Sequence, residues 1–181
     1  MKKILPILLI AAPYIFLADI FLLILYASTH ESFFGYALAI MPISYFVMVA
    51  IVFIPNIICA IFRCAKGESS KRLLFWNLII KLCHIPFYIV MFILGFFMAV
   101  LSLKLLGPIF IAIAIAIIDY SLLLASSVYG ITGIFRAKKE GKLSLSAVVL
   151  HTLMHFIFVF DIISAIYVYA KSKKQIGEAN V

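Results

Sequence analysis

The stretch SLSAVVLHTLMHFIFVFDIISAIYVYA, residues 144–170, decides the fold, because it is long and apolar yet contains His151, His155 and Asp161. About 20 mostly apolar residues are enough for a helix to cross a bilayer. Imidazole and carboxylate groups are costly at membrane depth, so they usually face a bundle interior or a water-filled cavity and find partners there. The stretch therefore predicts a transmembrane helix whose polar side chains face the functional part of the protein.

The composition of the whole chain agrees with a membrane protein. Of its 181 residues, 67% are hydrophobic and 12% are charged, and the mean hydropathy is +1.26. A soluble domain of this size needs far more polar surface, so residues 1–181 are predicted to form a single transmembrane domain. The net charge of +8 comes from basic residues at the ends of apolar runs, which is typical of contacts with lipid headgroups. We expect the lipid bilayer as a partner, and no nucleic acid.

Five apolar segments are long enough to cross a membrane. The first begins after Lys3 and continues to Ala27, longer than the apolar region of a signal peptide and without a clear cleavage site, so we interpret it as a span. The chain is therefore predicted to be all-α, a compact polytopic bundle of about five transmembrane helices. The predicted spans are approximately 4–27, 36–62, 73–103, 109–135 and 144–170.

The distribution of basic residues predicts the orientation of these spans. Lys2, Lys3 and the loops 63–72 and 136–142 are basic, so they are expected on the cytoplasmic side. Five crossings place the loops and the N-terminus on one side, but they put the basic tail from Lys171 outside. The alternative is four spans with both ends inside. We expect five spans in the bacterial cytoplasmic membrane, with a cytoplasmic N-terminus.

Polar and small residues form stripes on the predicted helices. Asn77, Lys81, His84 and Tyr88 lie at i, i+4, i+7 and i+11, which is one face of a helix. An alternative is that 73–84 lies in the interface as an amphipathic helix and that the span begins at Pro86. In the next segment a second stripe combines small residues with a carboxylate and favours close helix packing. Its members are Ala112, Ala116, Asp119, Ser126, Gly130 and Gly133.

The ionisable residues of the apolar segments form the candidate site. They come from four different segments. The five-span arrangement places the acids near the middle or in the outer half of the membrane, and the bases near the middle or in the inner half. They are Asp19, Lys81, His84, Asp119, His151, His155 and Asp161. Such groups serve proton and cation relays, but they also pair simply to hold a bundle together. In either case we expect Asp119 or Asp161 to lie within ion-pair distance of Lys81 or a histidine.

Two cofactor alternatives depend on the histidines. His151 and His155 share a helix face and could chelate a divalent metal ion together with an aspartate. Thr152 follows His151 where a zinc protease has glutamate, so hydrolytic zinc chemistry is not indicated. His84 and one of His151 and His155 are expected at similar depths on different helices, so they could be the axial ligands of non-covalently bound haem b. With no motif for nucleophilic catalysis, we expect neither an enzyme nor a bound cofactor.

Three stretches carry a resemblance to a known group of proteins. They are KLCHIPFY at 81–88, YGITGIFRAKKEG at 129–141 and HFIFVFD at 155–161. They resemble small uncharacterised multi-span membrane proteins of Gram-positive bacteria, over about residue 73 to the C-terminus. The resemblance implies a membrane fold in the bacterial plasma membrane. It implies no substrate and no site residues.

Three hypotheses about function follow. The first is transport or permeation of a proton or a small cation through the buried Asp, His and Lys residues. The second is a non-enzymatic interaction protein, such as an immunity protein or an accessory subunit, with a second copy or another membrane protein as its partner. The third is an intramembrane metal or haem protein.

Overall fold

The computed structural model of the protein describes residues 4–29, 34–103 and 107–178. The described residues are almost entirely helical, and none of them forms a strand. Lys2 and Lys3, predicted to be cytoplasmic, are not among these residues. The helices are α1 (Ile4–Thr29), α2 (Phe34–Met48), a π-helical turn (Val49–Phe53), α3 (Ile54–Ala65), α4 (Ser70–Ser102), α5 (Gly107–Lys139), α6 (Leu145–Met154) and α7 (Phe158–Glu178).

The chain divides into two compact units, the first ending at Ile58 and the second beginning at Cys59. In the first unit, α1 packs against α2 and the π-helical turn. Phe16 of α1 lies against Tyr45 of α2, with ring centroids 5.9 Å apart. Asp19, a member of the predicted site, belongs to α1 and therefore to this unit.

The π-helical turn between α2 and α3 has a local cause. Pro55 has no N–H and its ring would collide with a carbonyl one turn earlier in a regular helix. The helix forms a wider π-helical turn here instead. The N–H of Ile54 donates to the carbonyl of Val49, five residues earlier in the chain. Asn56 donates its side-chain amide to the carbonyl of Val52 at 2.9 Å. The helix irregularity thus lies next to Pro55, and the Asn56 side chain adds a hydrogen bond within the same turn.

The second unit is built on the antiparallel pair α4 and α5, each 33 residues long. The two helices approach closely because small residues of α5 face α4, as the small-residue stripe predicts. At Gly133 a Cβ atom would lie 2.8 Å from the Leu74 side chain. The helix α4 runs without interruption through Pro86. The alternative of a separate interfacial helix before Pro86 is therefore wrong.

The deciding stretch 144–170 is not one helix. The helix α6 ends at Met154, residues 155–157 form a turn, and α7 begins at Phe158. The two helices run antiparallel, since His151 contacts both Ser164 and Tyr167. The prediction of a single fifth span is wrong, and there is a physical reason. His155 and Asp161 are six residues apart, about 120° apart around an unbroken helix, and the turn lets both face the same partner.

Because α7 runs antiparallel to α6, the C-terminal part of α7 lies beside the start of α4. Phe75 and Tyr169 lie in ring contact, with centroids 6.0 Å apart, and Leu74, Ile134 and Val168 share one buried cluster. Lys171 thus lies at the same end of this unit as the loops 63–72 and 136–142. The prediction that five crossings separate Lys171 from those loops is wrong, and the four-span alternative agrees with the fold.

Among the residues that the structure describes, four helical segments are long and apolar enough to cross a membrane. They are Ile4–Leu23, Ile40–Ala65, Ser70–Ser102 and Pro108–Lys139, and α6 is a shorter apolar helix. The all-α membrane fold is therefore supported with four such helices, and the fifth predicted segment forms a helical hairpin instead.

Candidate functional site

Lys81 is the centre of the site. It lies on α4, in the second unit, and its side chain is completely buried. Its ammonium group forms an ion pair with Asp161 and donates to Ser126 Oγ at 2.6 Å and Ser127 Oγ at 2.8 Å. The carbonyl oxygen of Leu123 lies 3.3 Å from Nζ. Since a buried charge is costly unless it is paired and hydrogen-bonded, this dense set of oxygens explains why a lysine is stable here.

Asp161 joins Lys81 to His155. One carboxylate oxygen contacts Lys81 Nζ, and the other contacts the Nδ1 atom of His155. All three side chains are at most 1% exposed. We call Lys81, His155 and Asp161 the buried triad. It meets the expectation that an aspartate lies within ion-pair distance of Lys81 or a histidine, although the acid and the bases occupy one level rather than separate layers.

The turn between α6 and α7 holds His155 in this position. Ser127 lies 3.0 Å from the carbonyl oxygen of His155, and its hydroxyl can donate there because the turn leaves that carbonyl outside regular helix bonding. Asp161 lies in the first turn of α7, where the helix dipole favours a negative charge. The break in the helix and the triad therefore depend on each other.

Gly130 and Asn77 enclose the other edge of the imidazole. A Cβ atom at Gly130 would overlap the ring of His155 at Nε2 and would lie 2.9 Å from the Asn77 side chain. Both Asn77 and His155 are completely buried. The stripe on α4 predicted the position of Asn77, and the small-residue stripe on α5 predicted close packing at Gly130. Neither pattern identified Ser127 or the Leu123 carbonyl, since a serine and a backbone oxygen in an apolar helix carry no specific signal.

The remaining predicted histidines lie near the triad but have other neighbours. His84, one turn from Lys81 on α4, packs edge-on against Tyr88, with centroids 6.0 Å apart. His151 lies 3.0 Å from Ser164 through Nδ1 and stacks on Tyr167. Across the described ranges, no three His, Cys, Asp or Glu side chains are grouped so that they could hold a metal ion. His151 and His155, the proposed chelating pair, face Ser164 and Asp161 respectively.

The last two predicted residues, both aspartates, are not members of the triad. Asp119 lies on α5 beside a groove that it shares with Tyr88 and Phe158. Asp19 lies on α1 in the first unit. The structure thus brings together Lys81, His155 and Asp161, places His84 and His151 close by on the same helices, and leaves the two other aspartates in different surroundings.

A second set of charges ties the ends of the helices together. We call it the loop cluster, and its members are Arg63, Glu68, Ser70, Arg136, Glu140 and Lys142. Glu140 accepts from the backbone N–H of Ser70 at 3.0 Å and from its hydroxyl at 2.6 Å, at the first residue of α4. Lys142 and Arg136 donate to the same carboxylate at 2.7 and 3.1 Å. Arg63 binds Glu68 through two bonds of 2.5 and 2.8 Å.

The surroundings of these loop carboxylates keep them ionised. Burial alone would raise the pKa of Glu140, but the hydrogen bonds from Lys142 and Ser70 outweigh it and lower the pKa to about 2. The hydrogen bond from Arg63 lowers the pKa of Glu68 below its usual range. Because Glu140 joins the second basic loop to the start of α4, the two basic loops lie at the same end of the second unit.

The fold and the site define an all-helical protein with four helices able to cross a membrane and a lysine, aspartate and histidine buried together in its second unit. The chain belongs to the family of unknown function DUF6652, whose model matches residues 2–174. Neither the curated proteins nor the solved structures contain a match to the chain. Its function is therefore argued from the site itself.

Proposed function

We propose that the protein transfers protons across the bacterial cytoplasmic membrane and that the buried triad is the central transfer step. The observation that carries the proposal is the position of Asp161, which bridges an amine and an imidazole through its two oxygens. Ionisable groups in this arrangement at membrane depth are typical of proton relays. The bacterial membrane is proposed from the resemblance to small Gram-positive membrane proteins.

The depth of the triad supports this role. Lys81 lies eleven residues after Ser70, the first residue of α4, which is about 17 Å along the helix axis at 1.5 Å per residue. The hydrocarbon core of a bilayer is about 30 Å thick. With the loop cluster at the headgroup level, the triad lies near the middle of the membrane. The excess of Lys and Arg in the loops then orients this end, and with it Lys171, toward the cytoplasm.

The chemistry of the triad favours a proton over a metal cation. The Lys81 ammonium already occupies the position where a cation would bind Asp161, and like charges repel. A proton can move within the same contacts. It passes from Lys81 Nζ to the facing oxygen of Asp161, which leaves a neutral amine and a neutral carboxyl group. Rotation of this carboxyl group turns the same proton toward His155 Nδ1, which accepts it and becomes imidazolium, and Asp161 is a carboxylate again. No group has to move far, and the total charge of the triad is unchanged.

Two grooves extend this path toward the two ends of the unit. On the loop side, a groove lined by Ala147, His151, Tyr167 and Lys171 reaches within one helical turn of His155. On the other side, the groove at Tyr88 begins at Ile85, about one turn beyond Lys81 on α4. Polar side chains therefore flank the triad in both directions, as a proton path requires.

Proton flux into liposomes tests the proposal. Purified protein is reconstituted with a pH-sensitive dye inside, and a potassium diffusion potential drives protons. We expect flux well above that of empty liposomes, and a loss of at least about tenfold in the double variant Lys81→Met and Asp161→Asn. The double variant keeps the shapes and removes both charges together, so it is expected to remain folded.

Asp19→Asn is the matched control, because it removes a membrane-level carboxylate from the other unit. It should leave the flux within about twofold of the wild type. The proposal is wrong if the wild-type protein conducts no more protons than empty liposomes, or if the double variant conducts as well as the wild type.

A further inference from the structure

A second cavity in this unit has a different chemical character from the triad. It is a groove of about 320 Å³, bounded by α4, α5 and the start of α7. Its walls are aliphatic and aromatic, and they include Ile89, Phe92, Tyr88 and Phe158. Asp119 is the one lining residue with an ionisable carboxyl group. We call it the Asp119 groove.

The carboxylate of Asp119 is poorly satisfied within the part of the chain that the structure describes. Its Oδ1 atom is buried and accepts no hydrogen bond there, whereas both oxygens of Asp161 contact a cationic or imidazole group. Asp119 lies twelve residues after Gly107, about 18 Å along α5. A carboxylate at this depth is costly unless a positive partner compensates it.

The aromatic walls are suited to such a partner. Tyr88 and Phe158 meet edge to face, with centroids 5.3 Å apart and planes 82° apart. Aromatic faces attract cations, most strongly where water is excluded. A pocket with apolar walls and one charged group binds ligands of matching shape and opposite charge. A metal ion such as calcium binds six or more oxygen ligands. The single carboxylate of this groove cannot replace the hydration shell of such an ion.

We propose that the Asp119 groove binds a monovalent organic cation with an apolar body. Its positive centre lies against Asp119 and its apolar groups contact Tyr88, Phe92 and Phe158. The groove lies near the middle of the membrane, so the ligand enters from the hydrocarbon region and is not a lipid headgroup. Binding does not require the charges of the triad, because neither Lys81 nor Asp161 lines the groove.

Binding of tritiated tetraphenylphosphonium to the full chain in lipid nanodiscs tests this proposal, with empty nanodiscs to measure partition into lipid. The wild-type protein should show saturable binding with one site. Asp119→Asn keeps the shape of the side chain and should weaken binding at least about tenfold, while Asp119→Glu should retain most of it. Triphenylphosphine oxide, a neutral probe of similar shape, should compete poorly.

Two variants separate this site from the rest of the protein. Asp19→Asn, the same substitution in the first unit, should bind as the wild type does. The double variant Lys81→Met and Asp161→Asn should also bind, even though its proton flux is lost, so the two proposals can fail separately. The proposal is overturned if the wild type shows no saturable binding, if Asp119→Asn binds equally well while it elutes and melts like the wild type, or if the neutral probe competes as strongly as the cation.

Discussion

The buried triad and the loop cluster use the same chemistry in different surroundings. In both, one carboxylate joins α4 to another element and accepts from several donors. Asp161 is 1% exposed and lies near the middle of the unit, whereas the Glu140 side chain is 20% exposed at its end. Water and salt can replace the partners of Glu140 but not those of Asp161. The comparison shows why similar ion pairs should have unequal effects on stability and function.

The largest expected effect is the all-or-none labelling of introduced cysteines, which shows which regions of the chain lie on the same side of the membrane. If α7 returns to the loop cluster, a cysteine at Lys173 is inaccessible to a membrane-impermeant thiol reagent from outside, as is a cysteine at Ser69. A cysteine at Leu103, at the opposite end of α4, should be labelled. The background is a chain whose native cysteines are replaced by serine. Labelling from outside at position 173 but not at position 69 would contradict the return of α7 and support the five-span arrangement.

In the triad, removing one charge should destabilise far more than removing both. Asp161→Asn leaves Lys81 buried without its counter-charge, which costs about 3–5 kcal/mol. We expect a large fall in the midpoint of thermal unfolding in detergent. Adding Lys81→Met should restore most of it, because no uncompensated charge remains. If the double variant is no more stable than Asp161→Asn, the unpaired charge of Lys81 is not the cause of the lost stability.

The fit of His155 against α5 should make Gly130 much less replaceable than Gly95. Gly130→Ala forces the His155 ring away from its place and should cost about 1–3 kcal/mol, as overpacking usually does. At Gly95 a Cβ atom would meet Ile115 at an ordinary 3.4 Å. Gly95→Ala should therefore be neutral or slightly stabilising, since alanine favours helix over glycine. Thermal unfolding of the two variants under identical conditions makes the comparison, and equal midpoints would contradict the packing at His155.

In the loop cluster, the effect should be smaller and should depend on pH. Glu140→Gln weakens charged hydrogen bonds and should cost about 1–2 kcal/mol at pH 7. The pKa of Glu140 is lowered from 4.5 to about 2 in the folded chain. The contribution of ionised Glu140 to the free energy of unfolding is therefore complete above about pH 4.5, and it is lost as the pH falls toward 2. The difference between the unfolding midpoints of the wild type and the variant should become smaller as the pH is lowered from 7 to 3. A difference that stays constant would contradict the lowered pKa of Glu140.

Helix periodicity in the sequence predicted the buried position of Lys81 and part of the packing around the triad. Lys81 and Asn77 lie on the buried face that their spacing indicates, and Gly130 lies where the small-residue stripe favours close approach. The turn after Met154 carries no glycine or proline, so nothing local predicts it. It forms because His155 and Asp161 both gain partners around Lys81, and such a tertiary effect cannot be read from one segment.

The loop cluster was harder to predict for a different reason. The basic loops offer many cations for Glu68 and Glu140, and in water each pairing differs by less than about 1 kcal/mol. Only the arrangement of the helices decides that Glu140 reaches Ser70 at the start of α4. Asp119 and Asp161 looked equivalent as isolated carboxylates in apolar segments, yet one is paired and the other lines a groove.

The central claim is that the triad passes protons rather than other cations, and a reversal potential tests it most directly. Liposomes containing the protein are given a fixed pH difference and a series of opposing potassium diffusion potentials. A proton-selective path predicts that the flux changes sign near 59 mV for each pH unit, and that the signal disappears in the double variant Lys81→Met and Asp161→Asn. A reversal that follows the potassium or sodium gradient instead, or a flux that survives in the double variant, would contradict the account.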